Sequence, residues 1–93
     1  MPKVALKTRK RAPVRNVLGL QFRKLREEKN WSQSDFAREL QLAGWDIERS
    51  VLTKIELRRR CITDYELLLM LRTLGVPLSS LAVPKAGELS ALL

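Results

Sequence analysis

The 93-residue sequence contains no histidine. Its absence removes the side chain that most often moves protons near neutral pH, and with it every His-dependent triad and His-bearing metal site. The single cysteine, Cys61, can form neither an internal disulfide nor a multi-thiolate zinc site, so packing alone must hold the fold and a reducing compartment is expected. Long apolar runs are missing as well. The longest, Leu67 to Leu71, is far short of the roughly 20 residues of a membrane span, and nothing resembles a signal-peptide hydrophobic region. A cytoplasmic protein with no membrane, metal or cofactor partner is the expectation. Catalysis is not expected: Ser32, Ser34 and Ser50 read as helix-start or surface hydroxyls, and Cys61, although beside Arg60, has no imidazole to activate it.

What is abundant is positive charge. Eighteen Lys and Arg against ten Asp and Glu leave a net charge of +8, which favours polyanionic partners, nucleic acid first and an anionic membrane surface second. The charge is unevenly placed. Residues 1–16 carry Lys3, Lys7, Arg9, Lys10, Arg11 and Arg15 without one acid, so the rest of the chain is only +2. This stretch, punctuated by Pro2 and Pro13 and lacking apolar periodicity, is expected to be a basic arm that is disordered when free. It reads equally as a solubilising tail and as an arm that tracks phosphates or enters a groove.

A chain this short suits one small domain, and an apolar fraction of 45% can build its core. From residue 17 the apolar positions recur at three and four, and no strand signal is present. The first helix is expected over 17–29, with Leu18, Phe22 and Leu25 inward and Asn16 as its cap. The second, over 33–42, opens with Ser32 and Asp35 as a capping box and buries Phe36, Ala37 and Leu40. Gly44 breaks it. A third, over 47–57, is expected behind an Asp46 cap with Ile47, Leu52 and Ile55 inward; Val51 either packs or meets a thymine methyl. Thr63 and Glu66 form the clearest capping box, opening a helix over 64–74 that Gly75 closes. Val76 to Leu81 suggests one or two more turns, giving five helices. Pro84 and Gly87 then argue against persistent structure, so the expected division is an arm (1–16), a domain (17–82) and a tail (83–93).

At this point the residues resemble the helix-turn-helix domains of the phage repressor and Cro type, also called the Xre type. The resemblance runs from Leu18 to Leu81 and is carried by Phe22, Leu25 and Arg26, by Trp31-Ser32-Gln33-Ser34-Asp35-Phe36-Ala37, by Ser50-Val51-Leu52-Thr53-Lys54-Ile55-Glu56, and by Glu66-Leu67-Leu68 with Leu74-Gly75-Val76. It implies a compact all-α, five-helix domain whose third helix enters the DNA major groove while the second lies across the backbone. Carried over by position, Glu48, Arg49, Ser50 and Lys54 would read bases, and Ser32 and Gln33 would hold a phosphate at a helix N-terminus. Arg58, Arg59 and Arg60 would touch the sugar-phosphate backbone. The resemblance further implies a sequence-specific transcriptional regulator of double-stranded DNA, acting as a homodimer on a pseudo-palindrome. The alternative is a protein-binding antitoxin or adaptor that holds a partner such as a toxin through the same helical body or its apolar tail.

Two features set this chain apart. Between Ala37 and Glu56 it has five residues more than the usual connection, centred on Leu42-Ala43-Gly44-Trp45. Either the second helix is longer or the turn becomes a loop, with Trp45 as its expected anchor. The third helix also carries Asp46, Glu48 and Glu56 against Arg49 and Lys54, so by formal charge it is −1 and affinity would come from its flanks.

Overall fold

The computed structural model describes residues 14–92. The expected arm residues Lys7, Arg9, Lys10 and Arg11 lie outside this range, and Arg15 inside it. The order is α1 (Gly19–Glu28), α2 (Gln33–Leu42), α3 (Arg49–Glu56), α4 (Asp64–Leu74), a 3-10 turn (Leu78–Ser80) and α5 (Ala86–Leu92). This is the expected all-α repressor-like architecture, without a strand among the described residues. Phe22 of α1, Phe36 and Leu40 of α2, Leu52 and Ile55 of α3, and Met70 and Leu74 of α4 meet in one core. Burial of each large side chain contributes roughly 1.5–3 kcal/mol, the main force holding the four helices against one another.

Helices α2 and α4 start where their sequence places them, because both capping boxes form. Ser32 Oγ accepts the Asp35 N–H and the Asp35 carboxylate accepts the Ser32 N–H; Thr63 and Glu66 do the same for α4. The first four helices stop in one way. A residue with positive φ follows each: Asn30 (61°), Gly44 (108°), Arg58 (64°) and Gly75 (74°). The next N–H then bonds back to the carbonyl five residues earlier, as in Trp45 to Leu40 at 3.0 Å and Arg59 to Lys54 at 2.8 Å. Arg58 is the unexpected member, since a side chain in the left-handed region costs on the order of 1 kcal/mol.

Three boundaries differ from the sequence reading. Asn16 does not cap α1, which begins at Gly19 after Leu18; its Oδ1 accepts the Leu18 N–H before the helix starts. Asp46 does not cap α3, which begins two residues later than expected with Glu48 at the cap position and no side-chain bond there. Ile47 is buried as expected but from the connecting loop, where Gln41 Nε2 donates to its carbonyl at 2.7 Å. Finally, residues expected to form an unstructured tail contain α5. Pro84 precedes the helix rather than interrupting it, and the Glu88 carboxylate accepts the Lys85 N–H at 2.9 Å, half of a capping box.

The capping carboxylates make stability depend on acid. The Arg60 guanidinium, with the Thr63 backbone N–H, holds the Glu66 carboxyl below its ordinary range although burial opposes the shift. The Ser32 backbone N–H and hydroxyl lower Asp35 in the same sense. Because both folded-state values are depressed, this stabilisation is complete above the unfolded carboxyl value, about pH 4, and is lost as pH falls through the folded value. Urea melts across this acidic window should show falling stability, and Glu66→Gln should flatten part of that fall. An unchanged acid dependence in the variant would mean that the Glu66 pairing contributes nothing to it.

Candidate nucleic-acid interface

The extra residues between the second and third helices are resolved as a loop. Helix α2 ends at Leu42, so residues 43–48 form the connection. Trp45 packs half-buried against the core, as expected of an anchor, with the Arg60 guanidinium 5.8 Å from its ring centre. Arg60 in turn makes a bidentate pair with Glu66, Nη1 to Oε1 at 2.9 Å and Nη2 to Oε2 at 3.0 Å. The loop is therefore tied to the first turn of α4.

What aims α3 is a polar network rather than the loop. Arg26 of α1 donates through Nε and Nη2 to both oxygens of Glu56 at 2.7 and 3.0 Å. The pair is deeply buried, with side-chain exposures of 9% for Arg26 and 2% for Glu56. The Glu56 carboxylate holds the Arg26 guanidinium above its ordinary value against the cost of burial. Gln33 of α2 donates its Nε2 to Glu56 at 3.0 Å and accepts the Thr53 hydroxyl of α3 at 2.8 Å through Oε1. Arg26 Nη1 also satisfies the Trp31 carbonyl at 2.7 Å, at the start of the turn into α2. Three helices thus share one network, in which the bonds made by Arg26 or Glu56 are charge-assisted and about twice as strong as a neutral one.

Burial of Glu56 changes the charge on offer. It contributes to the formal charge of the third helix, but it faces inward and is neutralised by Arg26, while Asp46 and Glu48 precede α3. The exposed charges of α3 itself are Arg49 and Lys54, so its outer face is positive rather than −1. Glu48, Arg49, Ser50 and Lys54 are all exposed, and Thr53 is half-buried between them and α2. Val51 packs against the core.

The expected phosphate contacts divide. Ser32 is exposed and its hydroxyl caps α2, leaving the Gln33 and Ser34 N–H groups without a partner among the described residues. The Gln33 side chain, in contrast, is engaged at both ends by Glu56 and Thr53. Arg59 is exposed and Arg58 half-buried, and neither is ion-paired among the described residues. Arg60 is held by Glu66 and the Cys61 carbonyl, which removes its guanidinium from the free cations expected after the third helix.

A family model described as helix-turn-helix matches residues 22–81. The chain belongs to the helix-turn-helix family. Comparison with curated proteins gave no match. Among solved structures, this helix-turn-helix chain is similar to the crystal structure of a hypothetical transcription factor, NHTF, from Neisseria. The two are 26% identical, with a TM-score of 0.63 over 94% of this chain and 99% of the other. Family and neighbour together support a DNA-binding regulator, and no helix among the described residues is long and apolar enough to cross a membrane.

The helix-turn-helix surface depends on residues that spacing alone did not single out. Gly19 is one: a Cβ there would lie 2.2 Å from the Ile55 carbonyl oxygen and 3.0 Å from that of Glu56. A glycine near the start of an expected helix was the available signal, since it weakens the helix unless something packs closely. The Arg26–Glu56 pair gave none in its spacing, because its partners are 30 residues apart, although both residues are among those that carry the resemblance.

Proposed function

We propose that this helix-turn-helix protein is a sequence-specific regulator of double-stranded DNA, with α3 in the major groove. The observation that carries the reading is the exposed row of Glu48, Arg49, Ser50 and Lys54, buttressed from behind by the buried Arg26–Glu56–Gln33–Thr53 network. Arg49 can place two hydrogen bonds on a guanine edge and Lys54 can donate to the same kind of acceptor, whereas Glu48 can accept from cytosine N4. Ser32, the Gln33 backbone N–H, Arg58 and Arg59 supply phosphate contact. Arg60 and the Gln33 side chain support the surface rather than touch DNA. One domain covers one half-site, so two copies would read a pseudo-palindrome.

Selection of bound duplexes from a random pool tests the proposal, and an enriched two-fold motif is the expected result. On that motif, Arg49→Ala should relax discrimination at one base pair, by about 1–3 kcal/mol. Arg59→Ala should weaken matched and mismatched duplexes alike. A pool that stays random after repeated rounds would remove the sequence-reading role.

A further inference from the structure

One hydroxyl on α3 has its hydrogen already committed. Thr53 Oγ1 donates to Gln33 Oε1 at 2.8 Å and lies 3.0 Å from the Arg49 carbonyl, a second acceptor. Which way the Gln33 amide faces is decided one step further in. Glu56 Oε1 takes hydrogens from Arg26 Nη2 and from Gln33 Nε2, both at 3.0 Å, and a carboxylate can only accept. The Gln33 amide therefore turns its NH2 group to Glu56 and its oxygen to Thr53, which must answer with its one hydroxyl hydrogen. A flipped amide would set two oxygens against each other beside a buried charge. A hydroxyl carries one hydrogen and two lone pairs. With the hydrogen spent, and no donor to Thr53 Oγ1 among the described residues, the residue offers the outside acceptance alone.

Its position gives that polarity a consequence. At about 100° per residue, Thr53 falls about 40° round the helix from Arg49 and about 60° from Ser50, within the arc that exposed Arg49, Ser50 and Lys54 span. It is half-buried on the side of that arc nearest α2. Phosphate oxygens, guanine N7 and O6, adenine N7 and thymine O4 are all acceptors, so an acceptor-only atom gains no hydrogen bond from any of them. The donors on the major-groove edge are the amino groups, N6 of adenine and N4 of cytosine. Every base pair carries one such group, on one strand only. A single acceptor can therefore sense which strand holds the amino group, but cannot tell adenine from cytosine.

We propose that Thr53 is a further specificity-determining residue, whose hydroxyl oxygen accepts from a base amino group and so selects adenine or cytosine over guanine or thymine at one position of the bound strand. The proposal rests on the DNA-binding reading above. Glu56 and the Gln33 side chain are its positioning elements: they fix the sign of the contact without touching DNA. The contact is opposite in sense to those of Arg49 and Lys54, which donate.

The test uses the full chain. Selection from a random pool should yield a motif with a position at which adenine and cytosine are enriched together against guanine and thymine. Competition anisotropy on four duplexes differing only there should rank adenine and cytosine about 2–10-fold above the other two, the effect of one neutral hydrogen bond. Thr53→Val, which keeps the shape and loses the oxygen, should level the four and leave the base pair read by Arg49 intact, whereas Thr53→Ser should keep the ranking. Thr53→Ala repeats the comparison if the valine variant does not fold. Purine in place of adenine at that position removes only the amino group, so it should cost the parent more than it costs Thr53→Val, by the same factor. Gln33→Met frees the hydroxyl hydrogen, so guanine and thymine should gain on the other two with Thr53 still in place. A motif without such a position overturns the proposal. So does a ranking unmoved in Thr53→Val or Gln33→Met, even with an equal loss on all four duplexes, as a purely structural role would give. If Arg49→Ala still relaxes its own base pair in that case, the DNA reading stands without Thr53; a pool that stays random removes both.

Discussion

Arg26→Met should destabilise the domain by about 3–5 kcal/mol, the loss expected when one member of a buried ion pair is removed. The reason is what remains. Glu56 stays in the core with only the Gln33 amide for company, and the Trp31 carbonyl loses its donor. A domain of this size is stable by only about 5–14 kcal/mol, so the variant would retain little margin. Urea unfolding followed by circular dichroism measures the effect. Arg26→Met combined with Glu56→Met should recover most of it, because an apolar pair of similar volume avoids the desolvation of either charge. A single variant within about 1 kcal/mol of the parent would show that the Glu56 charge escapes to water, contrary to its 2% exposure. The double variant should still bind DNA more weakly than the parent, since Gln33 would lose the carboxylate that orients it toward Thr53 across the α2–α3 junction.

The second large effect is expected at Gly19, where a single methyl group opposes backbone rather than a yielding side chain. Gly19→Ala gains about 1 kcal/mol in helix propensity at an ordinary site. Here the added carbon would sit 2.2 Å from the Ile55 carbonyl oxygen and 3.0 Å from Arg58 Cγ, so α1 must move off the end of α3. Overpacking of this kind costs roughly 1–3 kcal/mol, and net destabilisation should follow despite the better propensity. The shift would also displace the end of α3, so affinity for duplex DNA should fall in the same variant. Thermal melts and anisotropy on one preparation would show both, and a raised melting temperature would refute the close contact.

Both sites illustrate what spacing can and cannot reveal. Helices α2 and α4 were legible to the residue because Ser32–Asp35 and Thr63–Glu66 act within one turn, and glycine marks their ends. The start of α3 was not, since Glu48 makes no capping bond and Ile47 is equally apolar in a helix or a loop. Nothing local betrays the role of Asn16, whose amide donors find carbonyls 39 and 44 residues away, beyond any periodic pattern. Exposure of Glu48, Arg49, Ser50 and Lys54 agrees with their expected position on the outer face. The engagement of Gln33 and Arg60 inside the fold could not be anticipated, because a polar residue at a helix end is equally at home facing solvent or a distant partner.

The loop over 43–48 has a broader meaning for how such a protein can change. Since Arg26, Glu56 and Gln33 hold α3 from behind while Trp45 and Ile47 pin the connection ahead of it, only the exposed stretch over 43–44 is slack rope rather than a lever. Insertions there can accumulate, or be trimmed, without altering the pose of the third helix. Divergence in that stretch and divergence of the outer face of α3 are then separate events, free to occur at different times in a lineage.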